Sequence, residues 1–252
     1  MENELKGKVI LITGAAQGIA NAVCRGCAEE GATLIMADIN APKLEEAVAE
    51  LRTLGYPCEA CVMDITKQEM VNAGVQMAVD KYGHLDGLVH CAGISDKTLF
   101  LDSTAEWFDK LMHIDLYSTY YLGFAAAKAM KEQGYGSIVN FASIAAFSGG
   151  GLMGTSLYAA AKGGVVSLSR GMAREMAPFG VRVNVIAPAS IDTPMTLVGR
   201  DPESYAASIK KIPLGRRGTP QDLIRPVIML LSDGAGFVTG QVVHVNGGAY
   251  FC

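Results

Sequence analysis

The sequence has few charged residues and no concentration of charge of one sign. Only 18% of its 252 residues are Asp, Glu, Lys or Arg, and the formal net charge is −4. The Lys and Arg residues are scattered along the chain, so no basic stripe is available to follow a phosphate backbone. We therefore expect no nucleic-acid partner.

The chain also lacks a long apolar run. Residues 1–8 are polar, and the apolar run after them ends at Thr13 and Gly14, which is too short for a signal segment or a membrane span. We expect a cytoplasmic protein that does not bind membranes. The length, the half-hydrophobic composition and the lack of a linker-like stretch predict one compact domain over residues 1–252, which both binds a dinucleotide and carries the catalytic residues.

Cysteine is scarce, yet four of the six cysteines form two Cys-x-x-Cys pairs, Cys24 with Cys27 and Cys58 with Cys61. This spacing occurs in zinc sites. The first pair falls in a predicted helix and the second in a predicted strand, where residues three apart point to opposite faces. The gap between the pairs is also longer than in a zinc ribbon. We expect reduced core thiols and no metal.

Apolar runs typical of strands alternate with helical patterns along the whole chain. The strand runs are apolar on both faces, which is typical of parallel strands covered by helices. The fold class predicted is α/β, with a doubly wound, mainly parallel seven-stranded sheet (a Rossmann fold) and helices on both faces. The predicted strands are 8–13, 33–37, 58–63, 88–91, 137–141, 181–186 and 242–245, and the main helices are 18–30, 42–54, 67–82, 104–133, 157–177 and 221–231.

One segment interrupts this alternation. Residues 191–218 carry Pro194, Pro202 and Pro213 around a short predicted helix. Loops of this length in compact domains tend to be functional. The segment also follows the carboxyl end of a strand, which is where open α/β sheets bind ligands. We predict a substrate lid at about 190–218.

A glycine-rich turn joins the first predicted strand to the first predicted helix. It contains Gly14, Gln17, Gly18 and Ile19. Glycines in such a turn let the backbone approach a pyrophosphate, which then lies at the positive end of the helix. A glycine-rich turn alone is a weak signal, but its place between strand and helix is the one that dinucleotide binding requires.

The second predicted strand leads to Asp38, about 20 residues after the turn. A carboxylate there can accept hydrogen bonds from an adenosine ribose and repel a 2′-phosphate, which favours NAD over NADP. Gln17 stands where an arginine could neutralise that phosphate, and no basic residue flanks the site. The alternative is that Asp38 caps the helix that begins near Pro42.

Tyr158 and Lys162 form a Tyr-x-x-x-Lys pair in a predicted helix. Residues four apart share one helix face, so the phenol and the ammonium can act on one bound molecule. The ammonium favours phenolate and lowers the pKa of a tyrosine from about 10 toward the range of a general acid or base. The pair predicts proton transfer at an alcohol or ketone, although alone it is more often a solvated helix face.

With these features assembled, the chain resembles the short-chain dehydrogenase/reductase family, in its single-domain form, over essentially its whole length. The resemblance implies NAD as cofactor, a small-molecule substrate and a homotetramer. Small residues in the predicted helix 157–177 would allow close contacts between copies. The matching stretches are the turn at Thr13, 63–66, 90–93, 136–143, the Tyr158 pair, 182–188 and 244–248.

The resemblance also implies roles for individual residues. Tyr158 would be the catalytic acid/base, Lys162 would lower its pKa and bind the nicotinamide ribose, and Ser143 would bind the substrate oxygen. The remaining contacts implied are Asp64 and Ile65 at the adenine, the backbone of Cys91, Ala92 and Gly93 along the adenosine, and Ile191 and Thr193 at the carboxamide and phosphates.

The chain departs from the family's usual pattern at Ala20, at His90 and Cys91, at Ala189 and at Asp115. Asp115 replaces an asparagine that helps to hold a water beside the lysine. If its main-chain carbonyl does that work, the change has little effect. If its side chain lies near the lysine, the carboxylate raises the lysine's pKa and alters the pH profile. Asp115 is therefore included among the candidate catalytic residues.

The leading hypothesis is an NAD-dependent oxidoreductase that transfers hydride between the nicotinamide and a secondary alcohol or its ketone. The substrate class is a hydroxysteroid or bile acid, a polyol or sugar, or a small hydroxy acid. One alternative is a 3-oxoacyl-carrier reductase, which Asp38 and Gln17 disfavour because that branch usually takes NADPH. Another is a non-catalytic NAD-binding regulatory protein, which the intact Ser143, Tyr158 and Lys162 disfavour.

Apolar side chains expected near the crevice favour a partly hydrophobic substrate, unless they belong to the core. These are Ile94, Phe147, Leu152, Met153, Met195 and Leu197.

Overall fold

The structure is a computed structural model that describes residues 3–150, 155–197 and 201–251. Its strands form one sheet, and each neighbouring pair is parallel. The predicted fold class is confirmed. The strands are β1 (Val9–Thr13), β2 (Thr33–Asp38), β3 (Cys58–Val62), β4 (Gly87–His90), β5 (Gly136–Phe141), β6 (Val181–Pro188) and β7 (Val242–Val245), in the order β3-β2-β1-β4-β5-β6-β7.

Helices connect the strands, and most of their bounds agree with the prediction to within a few residues. No helix in the three described ranges combines the length and the apolar character needed to cross a bilayer. The helices are α1 (Gly18–Glu29), α2 (Ala41–Thr53), α3 (Gln68–Tyr82), α4 (Ala105–Met112), α5 (Ser118–Gln133), α6 (Ala145–Ser148), α7 (Ser156–Met176), α8 (Pro194–Leu197), α9 (Pro202–Ile209) and α10 (Ile224–Leu231).

One predicted helix, 104–133, is divided in the structure. A π-helical segment, His113–Tyr117, separates α4 from α5. Such a wide turn adds a residue to the helix without breaking it, so the apolar pattern on either side still reads as helical. The predicted helical region 104–133 is therefore continuous, and the π-helical turn within it had no signal in the sequence pattern.

The core consists of two apolar layers, one on each face of the sheet. Ile10 and Ile12 of β1 pack toward α1, α2 and α10, while Val9 and Leu11 pack toward α3 and α5. Side chains alternate between faces along a strand, so a strand buried on both sides must be apolar at every position. Full burial of each such side chain contributes about 1.5–3 kcal/mol.

The side of β1 on which strands are added changes after β3. Strands β2 and β3 lie on one side of β1, and β4 and the later strands lie on the other. The loops after β1 and β4 therefore leave the sheet next to each other. Gly14 has φ +76°, and a Cβ there would lie 3.1 Å from Cα of Ala92. Only glycine permits this approach, which opens the crevice where doubly wound sheets bind ligands.

The cysteine pairs lie in the elements predicted for them, Cys24 and Cys27 in α1 and Cys58 and Cys61 in β3, and all four are buried. Burial raises the pKa of the Cys27 thiol to about 12 and that of Cys24 well above its ordinary value. These thiols therefore stay protonated at neutral pH. Within the described ranges, no three His, Cys, Asp or Glu side chains are grouped so as to hold a metal ion.

Gly134, shortly before β5, and Gly180, directly before β6, provide a matched test of packing. Gly180, before β6, has φ +73°, and a Cβ there would overlap the carbonyl oxygen of Gly134. Gly134, after α5, has φ +82°, but a Cβ there would meet no atom within 4 Å. An alanine at Gly134 therefore bears only the strain of the left-handed backbone.

We expect Gly134→Ala to lower the free energy of unfolding by about 1–2 kcal/mol, the strain of a left-handed residue. Gly180→Ala should lower it by about 1–3 kcal/mol more, because the overlap forces the backbone apart. Urea unfolding of both variants measures the difference. Equal losses would contradict the close contact between these two turns.

Candidate active site

One cleft, with a volume of about 840 Å³, crosses the carboxyl ends of the central strands. It brings together all but one of the residues predicted from the sequence, and the exception is Asp115, which lies behind its wall. The predicted residues that line it are Gly14, Gln17, Gly18, Ile19, Asp38, Asp64, Ile65, Cys91, Ala92, Gly93, Ser143, Tyr158, Lys162, Ile191 and Thr193.

The glycine-rich turn presents the N-terminus of α1 to this cleft. Gln17, the N-cap residue, forms no side-chain capping hydrogen bond, and the first turn carries no acidic residue. Backbone N–H groups at such an end lack partners within the helix and attract anions. A Cβ on Gly18 would lie 3.7 Å from Thr193, so the start of the predicted lid borders the same space. The turn therefore fits a pyrophosphate.

Asp38 is held rigidly at the end of β2. Its Oδ2 accepts a hydrogen bond from the backbone N–H of Ala16 at 3.1 Å, and its Oδ1 accepts one from Asn40 at 2.9 Å. Helix α2 is capped by the Asn40 side chain, which accepts from the N–H of Lys43. Asp38 is thus not the cap of that helix and is available to a ligand in the cleft.

The expectation that no basic residue flanks this end of the cleft was wrong. Lys43, in the first turn of α2, donates from Nζ to Oε1 of Gln17 at 3.1 Å. The lysine is remote from the glycine-rich turn in sequence, and only the packing of α2 beside α1 brings the two together. The positive charge of Lys43 therefore lies near Gln17, at the same end of the cleft as the negative charge of Asp38.

The far side of this end is formed by the turn after β3 and by α4. Asp64 accepts hydrogen bonds from the N–H and hydroxyl of Thr66 at 2.9 and 2.7 Å, which fixes the turn. Lys110, His113 and Ile114 also line the cleft, and the sequence analysis missed them. Lys110 and Ile114 are four residues apart, and this spacing could have placed both side chains on one helix face.

His90, one of the departures from the family pattern, has a structural role. Its ring nitrogens bond to Thr13 Oγ1 at 2.8 Å and to Ser118 Oγ at 2.9 Å, which ties β4 to β1 and α5. Burial lowers the pKa of His90 to about 3, so the ring is neutral. The Thr13 hydroxyl also accepts from the N–H of Ala92, and the loop that borders the cleft is thereby fixed from behind.

Ser143, Tyr158 and Lys162 converge at the inner end of the cleft. Ser143 follows β5, and its hydroxyl lies close enough to the phenol of Tyr158 to lower the pKa of that phenol. The Nζ of Lys162 lies 5.7 Å from the centre of the Tyr158 ring and donates to the carbonyl oxygen of Phe141 at 3.3 Å. This carbonyl had no signal in the sequence, because every residue carries one.

Ser143 and Tyr158 come from different elements, the loop after β5 and helix α7. The chain between them forms α6 and then turns through Gly149 and Gly150, whose φ angles are +73° and +114°. Both angles lie in the left-handed region that favours glycine. Gly151 lies outside the described residues.

Burial and charge act in opposite directions on the catalytic tyrosine. Burial raises the pKa of Tyr158, Lys162 lowers it, Asp115 raises it and the hydrogen bond from Ser143 lowers it, with a net rise. The sequence analysis predicted a lowered pKa for Tyr158 because it took only the charge of Lys162 into account. Burial also lowers the pKa of Lys162, but Asp115 and Tyr158 outweigh this and keep it raised.

Asp115 lies in the π-helical segment with its side chain fully buried. Its Oδ1 is 3.9 Å from Nζ of Lys162 and accepts from the N–H of Ile94 at 2.9 Å. Its main-chain carbonyl accepts from the hydroxyl of Thr119 at 3.2 Å. The structure therefore favours the second of the two expectations for Asp115, in which the side chain is the neighbour of the lysine.

The N-terminus of α7, one turn before Tyr158, is held by a buried carboxylate. Asp96 is 1% exposed and accepts hydrogen bonds from Trp107 Nε1 at 2.9 Å and from the hydroxyl of Thr155. Thr155 is the N-cap residue of α7, but its hydroxyl bonds to Asp96 instead of capping the helix. This contact fixes the catalytic helix against α4 and the loop after β4.

The segment predicted as a lid is closed at its base. Ile191 and Gly218 form a parallel bridge, and the guanidinium of Arg217 bonds to Asp192. The Arg217 side chain is fully buried, so this ion pair is shielded from water. Tyr205 of α9 donates to the same carboxylate at 2.8 Å. The segment is therefore a folded insertion, and its function as a lid remains a prediction.

The apolar residues expected near the substrate are only partly gathered. Ile94 lines the cleft. Phe147 packs instead against the core cluster around Val165, and its ring lies tilted against that of Tyr250, with the ring centres 5.9 Å apart. Leu197 is exposed. Leu152, Met153 and the side chain of Met195 lie outside the described residues.

Comparisons with known proteins agree with this geometry. A family model described as enoyl-(acyl carrier protein) reductase matches residues 14–250. The chain is 37% identical to 3-oxoacyl-(acyl-carrier-protein) reductase FabG of Thermotoga maritima, over 97% of the chain and 98% of the relative. It is 38% identical to 2-(S)-hydroxypropyl-CoM dehydrogenase 3 of Xanthobacter autotrophicus, over 98% of each.

Solved structures extend the agreement to the backbone. A crystal structure of a short-chain type dehydrogenase/reductase from Mycobacterium marinum superposes with a TM-score of 0.92 and 32% identity, over 98% of this chain and 97% of that one. The family model, the relatives and the superposition all span nearly the whole length. The chain belongs to the short-chain dehydrogenase/reductase family of oxidoreductases.

Proposed function

We propose that the protein interconverts a ketone and a secondary alcohol, with Tyr158 as the general acid/base. The observation that carries the proposal is the convergence of Ser143, Tyr158 and Lys162 at the inner end of a dinucleotide-sized cleft. Two hydroxyls in mutual contact can bind one substrate oxygen, which suits addition of a proton to oxygen. This arrangement supports reduction of a C=O bond over a C=C bond.

In reduction, Ser143 and Tyr158 orient the carbonyl oxygen and Tyr158 transfers its phenolic proton to that oxygen. When bound, a reduced nicotinamide supplies the hydride to the carbonyl carbon. Lys162 stabilises the phenolate that remains, because its ammonium is buried nearby. In oxidation, the phenolate of Tyr158 takes the proton of the alcohol.

The comparisons favour a 3-oxoacyl thioester as substrate over the broader alcohols considered first. Several similar relatives are named 3-oxoacyl-(acyl-carrier-protein) reductase, from Thermotoga maritima, Haemophilus influenzae and Vibrio cholerae among others. A second candidate is a smaller secondary alcohol, since the chain is equally similar to the 2-(S)-hydroxypropyl-CoM dehydrogenase. Both substrates place a ketone or hydroxyl carbon near a thioether or thioester sulfur.

We propose NAD(H) as the cofactor. Asp38 lies at the edge of the cleft with its carboxylate oriented by two backbone N–H groups, where it can bind a ribose diol and repel a 2′-phosphate. Lys43 acts in the opposite direction, but its Nζ is bonded to Gln17. The fixed carboxylate therefore outweighs an exposed and flexible ammonium.

The intact catalytic group argues against a purely regulatory NAD-binding protein, because binding alone needs no phenol beside a buried ammonium. A turnover assay tests the proposal. Acetoacetyl thioesters, with and without the carrier protein, small secondary alcohols, and a panel of steroid, polyol and hydroxy-acid alcohols are assayed with NAD(H) and NADP(H). Turnover of the thioester selects the first candidate, and turnover of the alcohols alone selects the second. Cofactor binding without turnover of any compound would contradict the proposed function.

Tyr158→Phe should reduce kcat by about 10²–10⁴-fold, the usual contribution of a general acid or base. NADH binding should stay near normal, because the ring that remains fills the same space. Stopped-flow turnover and fluorescence titration of NADH measure the two quantities. Near wild-type kcat would contradict the role of Tyr158.

Asp38→Ala should weaken NAD binding by about ten- to hundredfold through loss of a hydrogen bond to a charged group, and should improve the use of NADP. The ratio of kcat/KM for the two cofactors is the measurement. Glu45→Ala, which removes an exposed carboxylate from α2, the helix that follows Asp38, should leave the ratio unchanged.

Asp38→Asn separates charge from shape in this test. It removes the negative charge at nearly the same shape and keeps one acceptor oxygen, for the N–H of either Ala16 or Asn40, while an amide NH2 replaces the other oxygen. A gain in NADP use by Asp38→Asn attributes the preference to repulsion, whereas an unchanged ratio in both variants would show that Asp38 does not face the ribose.

A further inference from the structure

We propose that Asp115 is a positioning residue whose carboxylate, set beside Lys162, keeps Tyr158 in its phenol form at neutral pH and so biases the site toward ketone reduction. This inference rests on the proposed function, because it assigns a preferred direction to the same acid/base pair. It depends on the placement of three side chains within one buried cluster.

The first step is the position of the carboxylate. Oδ1 of Asp115 lies 3.9 Å from Nζ of Lys162 and accepts a hydrogen bond from Ile94, while Oδ2 is buried without a hydrogen-bond partner. The side chain is 0% exposed and that of Lys162 is 7% exposed. Water therefore screens the pair little. Burial raises the pKa of Asp115, and the ammonium of Lys162 and the N–H of Ile94 oppose this rise by favouring its carboxylate.

The second step is the set of groups that face this pair. From α7 they are Tyr158 and Lys162, and from β4 and the loop after it they are His90 and Cys91. Burial keeps His90 neutral, with a pKa of about 3, and raises the pKa of the Cys91 thiol, so that neither carries charge at neutral pH.

The hydroxyls of Ser118 and Thr119 from α5 and of Ser143 after β5 add no charge. The charged groups that shift the pKa of Tyr158 are Lys162, which lowers it, and Asp115, which raises it.

The third step is the sign of the effect. An ammonium alone favours phenolate, because the two charges attract. A carboxylate 3.9 Å from that ammonium offsets its field at the phenol, and it also keeps the ammonium protonated. Burial acts in the same direction as the carboxylate on Tyr158 and raises its pKa. An asparagine of the same shape at residue 115 would lack this offset.

The consequence is a preference for one direction of proton transfer. Below the pKa of Tyr158 the phenol holds a proton that can pass to a carbonyl oxygen, as its O–H bond breaks and that of the alcohol forms. Oxidation needs the phenolate and therefore increases only as the pH rises through that pKa. At neutral pH, the site with Asp115 is ready to donate a proton to a ketone.

The test compares the wild-type protein with Asp115→Asn, which removes the charge and keeps an acceptor for Ile94. NMR of ring-labelled tyrosine in the cofactor-free protein follows the ionisation of Tyr158, whose signal is assigned by its absence from Tyr158→Phe. We expect Asp115→Asn to lower the titration midpoint by about one pH unit. The pH profile of oxidation should move down equally, with up to about tenfold faster oxidation below the wild-type midpoint.

Two further variants make the result specific. Asp109→Asn removes a carboxylate from an exposed position of α4 and should leave the midpoint unchanged. Asp115→Ser removes the same charge with a smaller side chain, and it should lower the midpoint even if Asp115→Asn fails to fold. An unchanged midpoint in the folded Asp115 variants would overturn the inference.

The NMR titration tests the inference about Asp115, and the turnover assay tests the proposed function. If no ketone or alcohol reacts in any variant, the proposed function is wrong, while the NMR midpoint still decides whether Asp115 controls the ionisation of Tyr158. If turnover occurs and the midpoint does not move, the function stands and the inference about direction falls.

Discussion

The close approach of two loops, after β1 and after β4, is the constraint on which the rest of the site depends. Gly14 meets the backbone of Ala92 with no room for a side chain, and the hydroxyl of Thr13 holds the N–H of Ala92 from behind. Because both loops leave parallel strands at the same edge, the crevice between them forms wherever the sheet forms. The N-terminus of α1 then lies at its centre.

The proposed catalytic residues, Ser143, Tyr158 and Lys162, lie at the same edge but are held by different contacts. Lys162 donates to the carbonyl of Phe141 at the end of β5, and Asp96 holds the N-cap residue of α7 through Thr155. These contacts fix the helix at two points one turn to either side of Tyr158. The phenol of Tyr158 is thereby positioned by two contacts of α7, one with the end of β5 and one with the loop after β4.

Most of the fold followed from the sequence because parallel strands buried on both faces must be apolar throughout, and because glycines and prolines limit the helices. Many cofactor-side residues followed because their motifs stand at strand ends, which meet at one edge, whereas Tyr158 and Lys162 followed from their spacing of four on one helix. Three features did not follow. The π-helical segment adds a residue within a helical pattern, the carbonyl of Phe141 has no residue-type signal, and Lys43 reaches Gln17 only through the packing of α2.

The π-helical segment His113–Tyr117 shifts the directions in which side chains point between α4 and α5. With α4 it turns Ile114 toward the cleft, and at the next residue it places Asp115 behind Gly93, against Lys162. An α-helix rotates about 100° per residue. Deletion of one residue here would restore a regular helix and rotate one of these side chains away from its partner, so both placements depend on the length of this segment.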